Sequence, residues 1–171
     1  KFRYRQVAGH EYSDNLFHEY AHEWWANKVT NKDWAHMWIQ EGIATYAEAL
    51  AMRELGGETA YDSMMLNFKL RIQNKKPVVQ GEVVNGTDAY TGDIYVKGAF
   101  FMHTLRHVLG DSVFFSALKQ LATDTKYTYD NFVTTDDVEQ LFSKNAGKDL
   151  KPLFDFYLKT TSKLDIVVSQ T

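Results

Sequence analysis

The chain has no cysteine in its 171 residues, which excludes a disulfide framework and every thiolate metal site. Any metal it holds must be bound by imidazole or carboxylate groups. Long apolar runs are missing too, and nothing approaches the roughly 20 consecutive residues that a bilayer-crossing helix needs. The first residues, Lys-Phe-Arg-Tyr-Arg, offer neither an initiator methionine nor the apolar centre of a signal peptide, so the start reads as excised from something longer. Positive charge is in short supply: 19 Lys and Arg against 22 Asp and Glu give a formal net charge of -3. Without a basic stripe to neutralise phosphates, nucleic acid is not an expected partner. Prolines number only two, which leaves few forced breaks in regular structure.

What is present is an ordinary globular balance, 44% hydrophobic and 24% charged, enough to bury one sizeable core. One domain is expected over 1–171. Apolar residues recur mainly at helical spacing, so the expected fold class is mainly α, a multi-helix domain with at most one short strand near the C-terminus, over 164–168. A first helix is expected to open at Ser13 or Asp14 and to turn Leu16, Phe17, Tyr20, Ala21 and Trp24 towards the core before Asn27. A second should run from about 37 to 55 and stop at Gly56-Gly57, with a third from Thr59 to about Asn74. After a long loop from Pro77 to Gly92 the pattern predicts helices from about Tyr95 to Gly110, from Ser112, between Thr135 and Ala146, and from Pro152.

The segment His18-Glu19-Tyr20-Ala21-His22 carries the most specific chemistry. Imidazoles at i and i+4 stand one turn apart on one helix face, close enough to share a tetrahedral zinc, and Glu19 sits beside them without being forced to ligate. A catalytic zinc wants one more protein ligand and an open position. Glu41, on the second helix, is the expected third ligand; that helix is expected to turn back and pack against the first. Gly42 beside it would let the two backbones approach, offsetting the roughly 1 kcal/mol that a mid-helix glycine costs. A closed structural site usually takes four ligands and is rich in cysteine, so an open catalytic site fits this composition better.

These residues resemble the aminopeptidase N family of gluzincins, in which His-Glu-x-x-His is followed after eighteen residues by Glu, the spacing from His22 to Glu41. Trp24-Trp25-Ala26-Asn27-Lys28-Val29-Thr30 and Trp38-Ile39-Gln40-Glu41-Gly42 are similar to the flanking segments of that family. Ala26, Gln40 and Ile43 depart from its usual glycine, asparagine and aromatic. Tyr95-Val96-Lys97-Gly98 resembles the segment whose tyrosine stabilises the tetrahedral intermediate, and Tyr90 matches a site-lining position in some relatives. The resemblance implies the helical lobe of a thermolysin-like catalytic domain with one Zn2+ held by His18, His22 and Glu41. It also implies Glu19 as general base on the water bound there, Tyr95 as oxyanion donor, and peptide or protein substrates cut from the N-terminus.

The family's Gly-x-Met-Glu-Asn segment, which holds the substrate amine, is absent. The remaining N-terminal part of the same protein is therefore an expected partner, and the chain alone would lack one wall of the cleft and be inactive. Bacterial proteins resembling this motif variant lean the expected localisation to the cell envelope or outside. Two rivals stand beside this reading, a thermolysin-like endopeptidase and a non-catalytic zinc-binding helical scaffold. Among the other candidates, His103 and His107 form a second i,i+4 pair without an interposed carboxylate and beside Arg106, which speaks against a second metal site. His10 and His36 read as surface or satisfied polar residues, the four tryptophans as core or groove lining, and Lys97 as an ion-paired or solvated head.

Overall fold

The computed structural model describes residues 3–164. It begins with an antiparallel hairpin, β1 (Arg5–Val7) and β2 (His10–Tyr12), with Val7 opposite His10. Ala8 and Gly9 make the turn, both at positive φ (48° and 84°), which is the requirement of a two-residue hairpin turn. No strand was expected here. Three residues a side is too short for alternation to register as a pattern, and it is the turn that pairs them.

α1 (Asp14–Ala21) opens at Ser13, whose side chain accepts from the Leu16 amide, as the sequence predicts. It is only two turns long, and the chain from His22 onward continues in turns rather than in helix as far as Asn27. The expected core stripe on α1 is also corrected. Leu16, Phe17, Tyr20 and Trp24 are 36–62% exposed, and within α1 only Ala21 is buried. The inward face of this helix is the one that carries His18 and Ala21, so a polar function rather than the apolar periodicity decides its rotation.

After β3 (Thr30–Asn31) and a 3-10 turn at Trp34–His36 comes α2 (Trp38–Arg71), the longest element. The expected separation into two helices at Gly56-Gly57 is a bend within one element: Gly57 takes φ 72° and ψ -172°, and helix resumes at once without a loop. Only glycine adopts such a conformation at low cost, and Arg53 pairs with Glu58 across the bend. Helix stops at Arg71, short of Asn74.

The loop that follows holds one short helix, α3 (Gly86–Ala89), before α4 (Gly92–Leu109), which starts a turn earlier than expected and places Tyr95 inside it. α5 (Asp111–Thr123) follows directly on Gly110, and β4 (Phe132–Val133) pairs parallel with β3. α6 (Thr135–Ala146) and α7 (Lys151–Lys159) complete the described chain. α6 carries a capping box of Thr134 with Asp137 and ends at Gly147 with φ 63°, in the left-handed region. The strand expected over 164–168 lies, from residue 165 on, outside the described residues.

The core forms where α2 crosses α4. Trp38 is fully buried with its ring 5.7 Å from Phe101 and 6.4 Å from Phe154, and its indole N–H donates to Thr135 Oγ1 over 2.9 Å. The crossing is made at two glycines. A Cβ on Gly42 would stand 2.9 Å from both the Gly98 Cα and the Ile94 carbonyl oxygen. The close approach expected at Gly42 therefore exists, but the partner is α4 and not α1. This brings the residue before Gly42, Glu41, alongside the α4 segment that carries Tyr95.

Candidate metal centre

α1 and α2 present three donors to one point. The ligand atoms of His18, His22 and Glu41 all lie within 4.8 Å of one another. His18 Nε2 is 3.1 Å and His22 Nε2 3.4 Å from the same oxygen, Glu41 Oε2. Helical spacing sets the first pair, since residues four apart stack on one face, and their rings meet edge to face with centroids 4.6 Å apart. Glu41 joins them because it sits in the first turn of α2, buried to 7% exposure.

Both imidazoles are oriented from behind. The His18 Nδ1–H donates to Glu48 Oε1 over 2.8 Å, and the His22 Nδ1–H donates to the Trp25 carbonyl over 2.9 Å. With Nδ1 committed as donor, Nε2 of each ring is the atom that faces Glu41, and its loss of a proton leaves the tautomer that a metal requires. Neither partner was among the residues expected from sequence. Glu48 lies seven residues after Glu41, two turns along the same helix, so the spacing was visible. Its relation to His18 depends on how α1 sits on α2. A turn of chain after a helix makes the Trp25 contact, and a backbone carbonyl leaves no signature in side-chain identity.

The electrostatics fit a cation-binding pocket. Burial disfavours the charged form of His18, but hydrogen bonds to Glu41 and Glu48 outweigh it and bring its pKa up to about 9. His22 is raised as well, chiefly by Glu41. Burial works against ionisation of Glu41, yet the two imidazoles hold its pKa near about 2. Glu48 is shifted upward by burial, partly offset by its bond to His18. In a metal-free chain positive charge thus gathers on the imidazoles, and a dication would take the place of those protons. Two neutral imidazoles and one carboxylate are the donor set of an open zinc site, and the residues present fit zinc.

Around this cluster the structure places Glu19 exposed on α1, between the two histidines, and Tyr95 on α4 with its ring 6.0 Å from His18. Burial raises the Tyr95 hydroxyl pKa, and the negative charges of Glu41 and Glu19 push the same way; this phenol stays protonated and able to donate. Tyr90 donates to Glu41 Oε1 over 3.3 Å. Tyr90 also lines a cavity of about 380 Å3 together with Trp34, Met37 and Gln40.

The remaining candidates lie elsewhere. His103 Nδ1 accepts from the Tyr61 hydroxyl over 2.7 Å, and burial drives its pKa down to about 4. His107 lies beside it with ring centroids 4.3 Å apart and the ring planes tilted by 54°. His36 is buried, and its Nδ1 accepts from the Thr135 hydroxyl and amide. His10 is exposed in β2. Trp25 and Trp38 belong to the core, whereas Trp24 and Trp34 are 40% and 47% exposed. Among the described residues Lys97 makes no ion pair, and it is not solvated either: it is 6% exposed, and its ammonium donates to Asn74 Oδ1 and the Thr160 carbonyl. It ties α4 to the ends of α2 and α7.

Known proteins resemble this chain in sequence and in fold. The family described as Peptidase family M1 domain matches residues 6–157. Aminopeptidase RNPEPL1 of Homo sapiens is 30% identical over 141 residues, covering 75% of this chain and 19% of that protein. Aminopeptidase N of Lactococcus lactis is 29% identical over 157 residues, 83% of this chain and 18% of that protein. The chain therefore spans about a fifth of the length of these curated relatives. Among solved structures, an M1 zinc metallopeptidase from Deinococcus radiodurans superposes with a TM-score of 0.76 at 23% identity, over 94% of this chain and 38% of that one. Aminopeptidase A of Legionella pneumophila, solved in complex with aspartic acid, gives 0.73 at 25% identity over 85% of this chain and 16% of that one. The fold is that of the helical lobe of these enzymes, and no described helix is long and apolar enough to cross a membrane. On the family match over 6–157, the chain belongs to peptidase family M1.

Proposed function

We propose that the chain forms the zinc-binding part of a metallopeptidase that removes N-terminal residues from peptides, with His18, His22 and Glu41 as metal ligands, Glu19 as general base and Tyr95 as oxyanion donor. The observation that carries this reading is the convergence of three donor atoms within 4.8 Å, in a protein without cysteine. Zinc, when bound, would supply Lewis acidity towards the scissile carbonyl and the attacking water. The other tasks fall to side chains. Glu19, free on the exposed side of α1, takes a proton from the attacking water and returns it to the leaving amine. Tyr95, protonated and carried on a helix packed backbone to backbone against α2, donates to the carbonyl oxygen as negative charge develops there. Glu48 and the Trp25 carbonyl hold the imidazoles in place throughout. No covalent intermediate is needed, since water is the nucleophile.

The family and the names of its relatives support peptide hydrolysis; removal of residues from the N-terminus is the finer part of the proposal. It is tested with a short peptide carrying a free α-amine and its N-acetylated copy, each incubated with a zinc-loaded longer form of the protein that includes the N-terminal part expected to complete the cleft. Stepwise release of amino acids from the free peptide alone, stopped by a chelator, is the expected result. Internal cleavage of the acetylated copy would assign a thermolysin-like endopeptidase instead. A zinc-loaded longer form that cuts neither would contradict the catalytic reading and favour a binding scaffold.

A further inference from the structure

The two oxygens of Glu41 have different partners. Oε2 faces both imidazoles, at 3.1 and 3.4 Å. Oε1 is turned the other way and accepts from the Tyr90 hydroxyl at 3.3 Å. Carboxylates ligate metals through one oxygen or two, and the choice matters at a site with three protein ligands. A second oxygen swinging onto the metal would fill the position that a catalytic site keeps open.

Tyr90 is well placed to prevent this, because its own position is built rather than incidental. It closes α3, where its amide donates to the Gly86 carbonyl over 3.0 Å and the Asn85 side chain caps the first turn by accepting from the Asp88 amide over 2.9 Å. α3 rests on the Trp34 indole: a Cβ on Gly86 would stand 3.7 Å from the ring, and the Tyr90 ring lies 5.6 Å from that of Trp34. Trp34 in turn belongs to the 3-10 turn that leads directly into α2 and Glu41. The hydroxyl and the carboxylate it contacts are thus referenced to one short stretch of backbone.

We propose that Tyr90 is a positioning residue whose hydroxyl occupies Glu41 Oε1 and keeps Glu41 a one-oxygen ligand, so that one position of the metal stays free for water and substrate. This rests on the zinc site proposed above, and it assigns Tyr90 a task separate from the oxyanion role of Tyr95.

The test is Tyr90→Phe with Co2+ in place of zinc, read by visible absorption. Four-coordinate cobalt absorbs visible light far more strongly than five- or six-coordinate cobalt, so the spectrum reports how many donors reach the metal. Tyr90 is 44% exposed, and loss of one hydroxyl there leaves the fold intact, which circular dichroism checks. The cobalt form of the unaltered protein should show intense absorption. Tyr90→Phe should lose the larger part of it as Glu41 takes up a second bond, with zinc affinity changed by about tenfold, the lower range for loss of a group that orients a ligand. Superimposable spectra for the two cobalt proteins would overturn the proposal. An unaltered protein that takes up neither cobalt nor zinc would instead overturn the metal site itself.

Discussion

Glu19→Gln, made in the longer form that completes the cleft, is expected to bind zinc as the unaltered protein does and to lose about 10²- to 10⁴-fold in the rate of peptide hydrolysis, the usual worth of a positioned general base. The amide keeps the shape of the carboxylate and removes its basicity. Among the described residues the Glu19 side chain makes no hydrogen bond and no ion pair, and it is exposed, so neither α1 nor the ligand cluster depends on it. The two imidazoles are oriented by Glu48 and Trp25 instead. Metal content and initial rates measured on one preparation separate the two roles. A Glu19→Gln protein that keeps zinc and most of its rate would show that another group takes the proton.

The second large effect is on stability. Gly42→Ala should lower it by about 2 kcal/mol, because the new methyl would lie 2.9 Å from the Gly98 Cα and from the Ile94 carbonyl oxygen. Both neighbours are backbone, so no side chain can rotate away and α2 must lift from α4. Overpacking of this kind costs about 1–3 kcal/mol, and backbone against backbone belongs at the upper end. Alanine recovers about 1 kcal/mol through its better helix propensity, which leaves the net cost stated. For a chain of this size that is a drop of about 4–8 °C in Tm. Gly92→Ala is the control: it sits at the start of α4 with nothing within 4 Å of the added Cβ, and it should leave Tm unchanged or raise it. A Gly42→Ala protein melting with or above the unaltered one would mean that the helices do not meet at this point. Since Glu41 precedes Gly42 and Tyr95 lies on α4, the displaced helix should also weaken zinc binding.

The parts of this molecule that follow local rules are legible in the order of its residues. Ser13 caps α1, Thr134 precedes α6 and Gly147 follows it in the left-handed conformation, and Pro152 sits in the first turn of α7. The histidines of α1 stand together because four residues make just over one helical turn. What is not legible there is relational. Apolar spacing on α1 points Leu16, Tyr20 and Trp24 inward, yet the helix is rotated to turn His18 to Glu41 and Glu48, and the apolar stripe is exposed. A glycine pair normally stops a helix; here the positive φ of Gly57 turns the chain in place and helix continues. Gly42 announces a close contact without saying with what, because its partner Gly98 is 56 residues away and belongs to a helix whose path the sequence does not encode locally. The same holds for Glu48, an acidic residue with nothing in its neighbourhood to mark it off from a solvated one, until α1 is seen to lie across α2.

Elemental mass spectrometry of the purified protein, with His22→Ala and Glu41→Ala alongside, decides whether His18, His22 and Glu41 together hold one zinc. About one zinc per chain is expected in the unaltered protein, with its loss from both variants, each still folded by circular dichroism. Zinc kept in full by Glu41→Ala, or absent from a well-folded unaltered protein supplied with the metal, would contradict this ligand set.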